Sequence, residues 1–202
     1  MNDIVLIGGG GHCKSVIDVI EQQGEYKIVG IVDQPELLGS SVLGYSIIGN
    51  DSDLPILAEK YKYAIVTVGQ IESPSLRIKL YDLALKAGFI LTNIISPRAY
   101  VSRYAKLGKG TIIMHDAVVN ASVSIGRNCI INSKALVEHD STIQDFCHVA
   151  TAAVINGGVI VHQGSFIGSG AILKQGIAIE KESVVSMGLS IKKNFNTNEV
   201  AK

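Results

Sequence analysis

Hydrophobic and polar positions alternate in two different ways along this chain, and the change falls near residue 95. Up to about residue 93, short apolar runs alternate with helical patterns. Residues 4–8 (IVLIG), 27–33 (KIVGIVD), 45–49 (YSIIG), 63–69 (YAIVTVG) and 89–95 (FILTNII) read as strands. Residues 14–22, 52–61 and 73–88 carry the spacing of helices, the last ending at a capping Gly88. Strands that alternate with helices predict a small parallel sheet covered on both faces. From Ile95 every sixth residue is aliphatic: seventeen successive Ile, Val or Leu positions from Ile95 to Ile191, without a miss. Val, Ile and Leu fill 63 of 202 positions. Chance gives such a run with a probability on the order of 10⁻⁹, and internal repeats outrank other signals.

A strict period of six fits neither an amphipathic helix nor an ordinary strand. It predicts a parallel β-helix, with one hexad per flat wall and three hexads per triangular coil. Each aliphatic side chain points inward and stacks on the residue eighteen positions on, about 4.8 Å away. The residue two before the aliphatic is usually small, as at Ala117, Cys129, Ala135, Ser141 and Cys147, and fits the tight corner region. An antiparallel sandwich would need turn signals every 8–12 residues, which this half lacks. The domains expected are residues 1–94 and 95–202.

Composition narrows the function. Eighteen basic residues balance eighteen acidic ones, so no bulk charge draws the chain to nucleic acid or an anionic membrane. Trp is absent and aromatics are few, which disfavours base-stacking platforms. No apolar run is long enough to span a bilayer, and the first residues lack the basic region of a signal peptide, so a cytoplasmic protein is expected. Three distant cysteines (Cys13, Cys129, Cys147) without a CxxC spacing argue against a disulfide framework or a zinc site. Cys129 and Cys147 share the small-residue phase and read as inward packing.

Two motifs carry chemistry. Residues 8–12 (GGGGH) follow a strand and precede a helix, where bare backbone and free helix N–H groups suit a phosphate. Cys13 stands where either a dinucleotide fingerprint or a P-loop requires glycine, so neither motif is complete. Asp33 ends the second strand, where an acidic residue often meets a ribose hydroxyl. Alone, these glycines would equally serve a tight strand-to-helix turn. In the repeat, the segment EHD (138–140) precedes Gly157 by one coil. His139 and Gly157 are eighteen residues apart and should stack in one column. On spacing alone, a histidine at such a corner reads as a solvated turn residue. His115 shares its hexad phase on another wall and reads as a surface corner; His162 reads as structural.

A βαβ unit opening on GGGGH, followed by a hexapeptide β-helix carrying INSKALVEHDSTIQDFCHVATAAVINGG, resembles the bacillosamine/perosamine N-acetyltransferase and NeuD-like sialic acid O-acetyltransferase family. The resemblance spans Ile4 to about Ile191. It implies a half-Rossmann domain joined to a left-handed β-helix, and direct acetyl transfer from acetyl-CoA to a sugar amine or hydroxyl, without a covalent intermediate or metal. By that resemblance His139 is the general base, and Asp140 orients its imidazole or stabilises the imidazolium. The Gly157 amide holds the acetyl carbonyl, with Gly158 beside it on the acetyl-CoA. His148 lies near the acceptor, and Asn132 helps to hold the sugar. Gly8, Gly10, Gly11 and His12 contact the sugar nucleotide, Asp33 the nucleoside, and Gly69 closes the same crevice. A homotrimer is implied, with acetyl-CoA between two prisms and His139 at a subunit interface. The reaction expected is N-acetylation of a nucleotide-linked amino sugar in polysaccharide synthesis. O-acetylation of sialic acid or a related sugar is the alternative, and a catalytically silent trimeric binding protein is a third. One departure stands out: the family's C-terminal G-x-P-A-K loop over the CoA has no counterpart after Pro97, and Lys192 and Lys193 are candidates for its phosphates.

Overall fold

The structure, a computed structural model, describes residues 1–195. The part of the C-terminal segment beyond Phe195 lies outside the described residues. The chain forms two compact units. One comprises Met1–Gly69 and Ser75–Ile94, the other Gln70–Pro74 and the chain from Ile95 on.

In the first unit, β1 (Asn2–Ile7), α1 (Gly11–Gln23), β2 (Tyr26–Val32), β3 (Ser41–Val42), β4 (Tyr45–Gly49), α2 (Leu54–Lys60), β5 (Tyr63–Val66), α3 (Ser75–Ala87) and β6 (Ile90–Leu91) follow in order. They build one sheet in the order β3-β4-β2-β1-β5-β6, parallel except for the β3–β4 hairpin at its edge. Ile4, Val5, Leu6 and Ile7 of central β1 are essentially inaccessible, as are Val16, Ile17 and Ile20 of α1. Burial on both faces is why the strand reads as an unbroken apolar run.

Two expectations shift at this level. The run 89–95 is not one strand. Ile90–Leu91 pairs with β5, whereas Ile94–Ile95 opens a sheet of the repeat, with Thr92 and Asn93 between. The apolar signal was continuous because Leu91 and Ile94 are both buried, in different sheets. The run 63–69 leaves the sheet after Val66, and the buried Arg77 of α3 donates from Nη1 to the carbonyls of Val66 (3.2 Å) and Val68. A guanidinium thus satisfies carbonyls that strand pairing no longer reaches.

Among the described residues the second unit has seventeen two-residue strands, in three parallel sheets of six, six and five. The architecture is a left-handed β-helix. Register is strictly eighteen, as in Ile113↔Ile131↔Val149↔Ile167↔Val185. Those five side chains are fully buried. Each corner from Gly110 to Gly188 places one residue at positive φ, six positions apart, including Asp116, Asp140, Ala152, Gly158 and Gly176. Glycine, Asn and Asp suit this left-handed backbone best.

The small-residue phase does more than fit. Thr111, Ser141 and Ser165 donate their hydroxyls to the carbonyls of Gly126, Asn156 and Glu180, fifteen residues on. Cys129 and Cys147 do the same with their thiols, to Gln144 and His162 at 3.1 and 3.2 Å. Burial pushes the Cys147 thiol well above its ordinary range, so it is no nucleophile. At the C-terminal end, buried Phe195 bridges to Ile179 and closes the stack.

Candidate active site

The corner between the strands Leu136–Val137 and Thr142–Ile143 carries His139 and Asp140. Asp140 takes the left-handed position (φ 60°), which turns its carboxylate back onto the preceding ring. Nδ1 of His139 lies 2.8 Å from Oδ2 of Asp140, and both side chains are exposed, at 57 % and 66 %. With Nδ1–H donating to the carboxylate, the lone pair sits on Nε2. The bond to Asp140 is the main reason the imidazole's pKa lies above the usual histidine value; slight burial opposes it, and the charges of Asp140 and Glu138 add to the rise.

One coil on, Gly157 stacks against this ring. A Cβ at Gly157 would lie 2.8 Å from Cε1 and 2.9 Å from Nε2 of His139, inside van der Waals contact, so only glycine leaves the imidazole in place. The same turn position has its N–H capped by a side-chain oxygen at Ala121, Arg127, Ser133, His139 and Gln163. The N–H of Gly157 makes no hydrogen bond among the described residues. A bare Cα and an uncommitted donor beside a basic nitrogen form a cradle for a polarised carbonyl. Gly158 is different. Its N–H donates to the His139 carbonyl (2.9 Å), and its Cα face is open.

Hexad periodicity did not single out Glu138 or Asn120. Oε2 of Glu138 accepts from Nδ2 of Asn120 one coil away (2.9 Å) and from the His139 backbone N–H (3.3 Å). A carboxylate thus flanks the histidine on either side in sequence. The signal was present in the eighteen-residue spacing of Asn120 and Glu138, but nothing in it says that the two side chains meet.

His148, on the wall strand His148–Val149, meets Asn132, which follows the strand one coil back. His148 is 7 % exposed and packs edge-on against Phe166. Its Nδ1 donates to the Gln70 carbonyl (2.6 Å), and its Nε2 faces Nδ2 of Asn132 (3.2 Å). Both ring nitrogens are engaged, and the ring pins the segment Gln70–Pro74 onto the β-helix. Within the chain, then, the six candidates of the repeat divide between two places, the His139 corner and the His148 wall. His115 is half-buried on Ser96 (2.7 Å), and His162 on Gln144 (3.2 Å).

In the first unit, the carboxyl ends of β1, β2 and β5 frame a crevice of about 360 Å³. It is lined by Gly8–His12, Asp33, Gln34, Leu37, Val68, Gly69 and Leu76. An adjoining space of about 390 Å³ reaches Asn50, Asp51 and Lys79. Gly8 has φ 103°, and a Cβ there would overlap Val68. Gly10 caps the thirteen-residue α1 without a side chain, and no atom stands near a Cβ at Gly10 or Gly11. The helix N-terminus therefore opens on the crevice, as an anion site requires. Gly69 sits against His12. Asp33 accepts from the backbone N–H of Gly9 (2.5 Å) and of Gln34 (2.8 Å), so its first role here is to clamp the glycine loop. Cys13 behind the loop is buried, which raises its thiol to about 11.

Comparison with known proteins agrees with this layout. Residues 3–83 match the PglD N-terminal domain, 104–139 the bacterial transferase hexapeptide (six repeats), and 158–193 the hexapeptide repeat of succinyl-transferase. A histidine-to-asparagine variant of perosamine N-acetyltransferase from Caulobacter crescentus, solved in complex with CoA and GDP-perosamine, is 35 % identical. It superposes with a TM-score of 0.90 over 96 % of this chain and 90 % of that one. The acetyltransferase domain of PglB from Neisseria gonorrhoeae, in complex with acetyl coenzyme A, is 29 % identical with a TM-score of 0.86, over 95 % and 93 % of the two chains. WeeI from Acinetobacter baumannii, 22 % identical with a TM-score of 0.85, shares the fold. No curated protein matches the chain. With a PglD-type N-terminal domain, a hexapeptide β-helix and a third of its residues in common with the Caulobacter enzyme, the chain belongs to the perosamine N-acetyltransferase family of hexapeptide-repeat acyltransferases.

Proposed function

We propose that this enzyme transfers the acetyl group of acetyl-CoA to the amine of a nucleotide-linked amino sugar. The observation that carries the reading is the stack of His139 on bare Gly157, one coil apart. Acetyl-CoA supplies an activated acyl carbonyl. Nε2 of His139 takes the amine proton as the nitrogen attacks, and Asp140 stabilises the imidazolium. The Gly157 N–H donates to the oxygen on which negative charge develops. The imidazolium then holds a proton for the departing thiolate. The glycine loop and the open N-terminus of α1 receive the nucleotide's phosphates.

A trimer is part of the proposal. Tyr100, Val118, Leu136, Val154 and Ile172 form an outward apolar row on the second sheet of the β-helix, with Tyr100 and Ile172 exposed. Such a row suits packing against other copies of the chain. The setting proposed is cytoplasmic synthesis of polysaccharide precursors, where acetyl-CoA and nucleotide sugars are both available. The test is thiol release from acetyl-CoA with UDP- and GDP-linked amino sugars and CMP-sialic acid. Turnover confined to the amines supports the reading; turnover only with the hydroxyl acceptor, or none at all, overturns it.

A further inference from the structure

Asn120, Asn132, Glu138 and Asn156 all stand just before a corner of the β-helix, one hexad phase repeated on different coils. Three of them fold the side chain forward onto the turn. Oδ1 of Asn120 accepts from the Ala121 N–H (2.9 Å), Oδ1 of Asn132 from the Ser133 N–H (2.8 Å), and Oε2 of Glu138 from the His139 N–H (3.3 Å). Asn156 turns the other way. Its Nδ2 donates to the carbonyl of Leu173, on the strand Ile172–Leu173 one coil on (2.7 Å). That carbonyl also takes the Asn156 backbone N–H, at 3.3 Å. The equivalent backbone bonds from Asn120, Asn132 and Glu138 measure 2.9, 2.9 and 2.8 Å.

A carbonyl only accepts, so the amide nitrogen of Asn156 has to face Leu173. Oδ1 is then left without a hydrogen bond among the described residues, and so is the Gly157 N–H. Folded forward as in Asn120 and Asn132, that oxygen would compete with an acyl carbonyl for the same donor. Given Gly157 as the oxyanion donor, as proposed above, we infer that Asn156 is a positioning residue. Anchored on Leu173, it keeps its own oxygen off the Gly157 N–H and holds that donor open for the acetyl group.

Two substitutions test this. Asn156→Asp keeps the shape but cannot donate. The Leu173 carbonyl repels its carboxylate, which should turn to the Gly157 N–H as Glu138 does at His139. On the alkaline plateau, where the ionisation of His139 no longer matters, kcat should fall about 10²–10³-fold, the effect of losing one oxyanion donor. KM for acetyl-CoA should move far less. Asn156→Ala has no oxygen to offer and should lose less than about tenfold, the worth of one ordinary hydrogen bond. Hydrogen exchange of the Gly157 amide, read by NMR on glycine-labelled protein, should slow in the Asp variant and not in the Ala variant. Equal losses of kcat in the two variants, or a Gly157 amide that exchanges at the same rate in the Asp variant as in the unaltered protein, overturn the inference. Slowed exchange with undiminished kcat refutes the oxyanion role of Gly157, and this inference with it, but leaves acetyl transfer standing. No turnover of any amino sugar by the unaltered protein refutes the transferase, while the exchange rates still decide where Asn156 points.

Discussion

His139 and His148 stand nine residues apart in one repeat and have opposite fates. The former follows its aliphatic residue by two positions, which puts it on a corner, exposed, with one ring nitrogen on Asp140 and the other directed at a bare glycine. The latter precedes its aliphatic Val149 by one, which puts it on the outer face of a wall, buried against Phe166 with both nitrogens engaged. The His139 corner exposes its imidazole beside a turn N–H that no described side chain caps, whereas the wall at His148 commits the ring to packing.

The contrast breaks most visibly at the corner. His139→Ala should lower turnover in a thiol-release assay by about 10²–10⁴-fold, with the melting temperature unchanged. Gly157→Ala keeps the backbone N–H but drives a methyl into the ring. Displacement of the base should cost about 10²-fold in kcat, and a crystal structure of the variant should show a rotated imidazole. At the wall, His148→Ala should act on stability instead. It leaves the Gln70 carbonyl buried without its donor, which costs about 1–3 kcal/mol in chemical denaturation. Glu138→Gln sharpens the comparison least. The amide can still accept from the His139 N–H, but the charge is gone, so the acid limb of the rate profile should move slightly to lower pH.

The repeat was legible from sequence because each coil imposes the same steric demand. The aliphatic beat predicts the register of Ile131 on Val149, and the same arithmetic stacks Gly157 on His139. Irregular contacts were not legible. No periodicity says that Asn120 holds Glu138, that Arg77 caps the end of β5, or that the carboxylate of Asp33 closes on Gly9. These are single hydrogen bonds between side chains and distant backbone, and their partners are fixed by the fold rather than by spacing. The split of residues 89–95 into two strands escaped for a related reason: both pieces are apolar, and only the topology assigns them to different sheets.

The central claim is that Asp140 holds His139 as a base of raised proton affinity over Gly157. The measurement that meets it most directly is the pH dependence of kcat/KM for acetyl transfer, in the unaltered enzyme and in Asp140→Asn. The base must be unprotonated to act, so the rate should fall as pH drops through a single ionisation lying above the ordinary histidine value. Asp140→Asn removes the largest cause of that elevation. The limb should then move to lower pH while the rate at its plateau decreases. A limb at the same pH in both proteins would contradict the account.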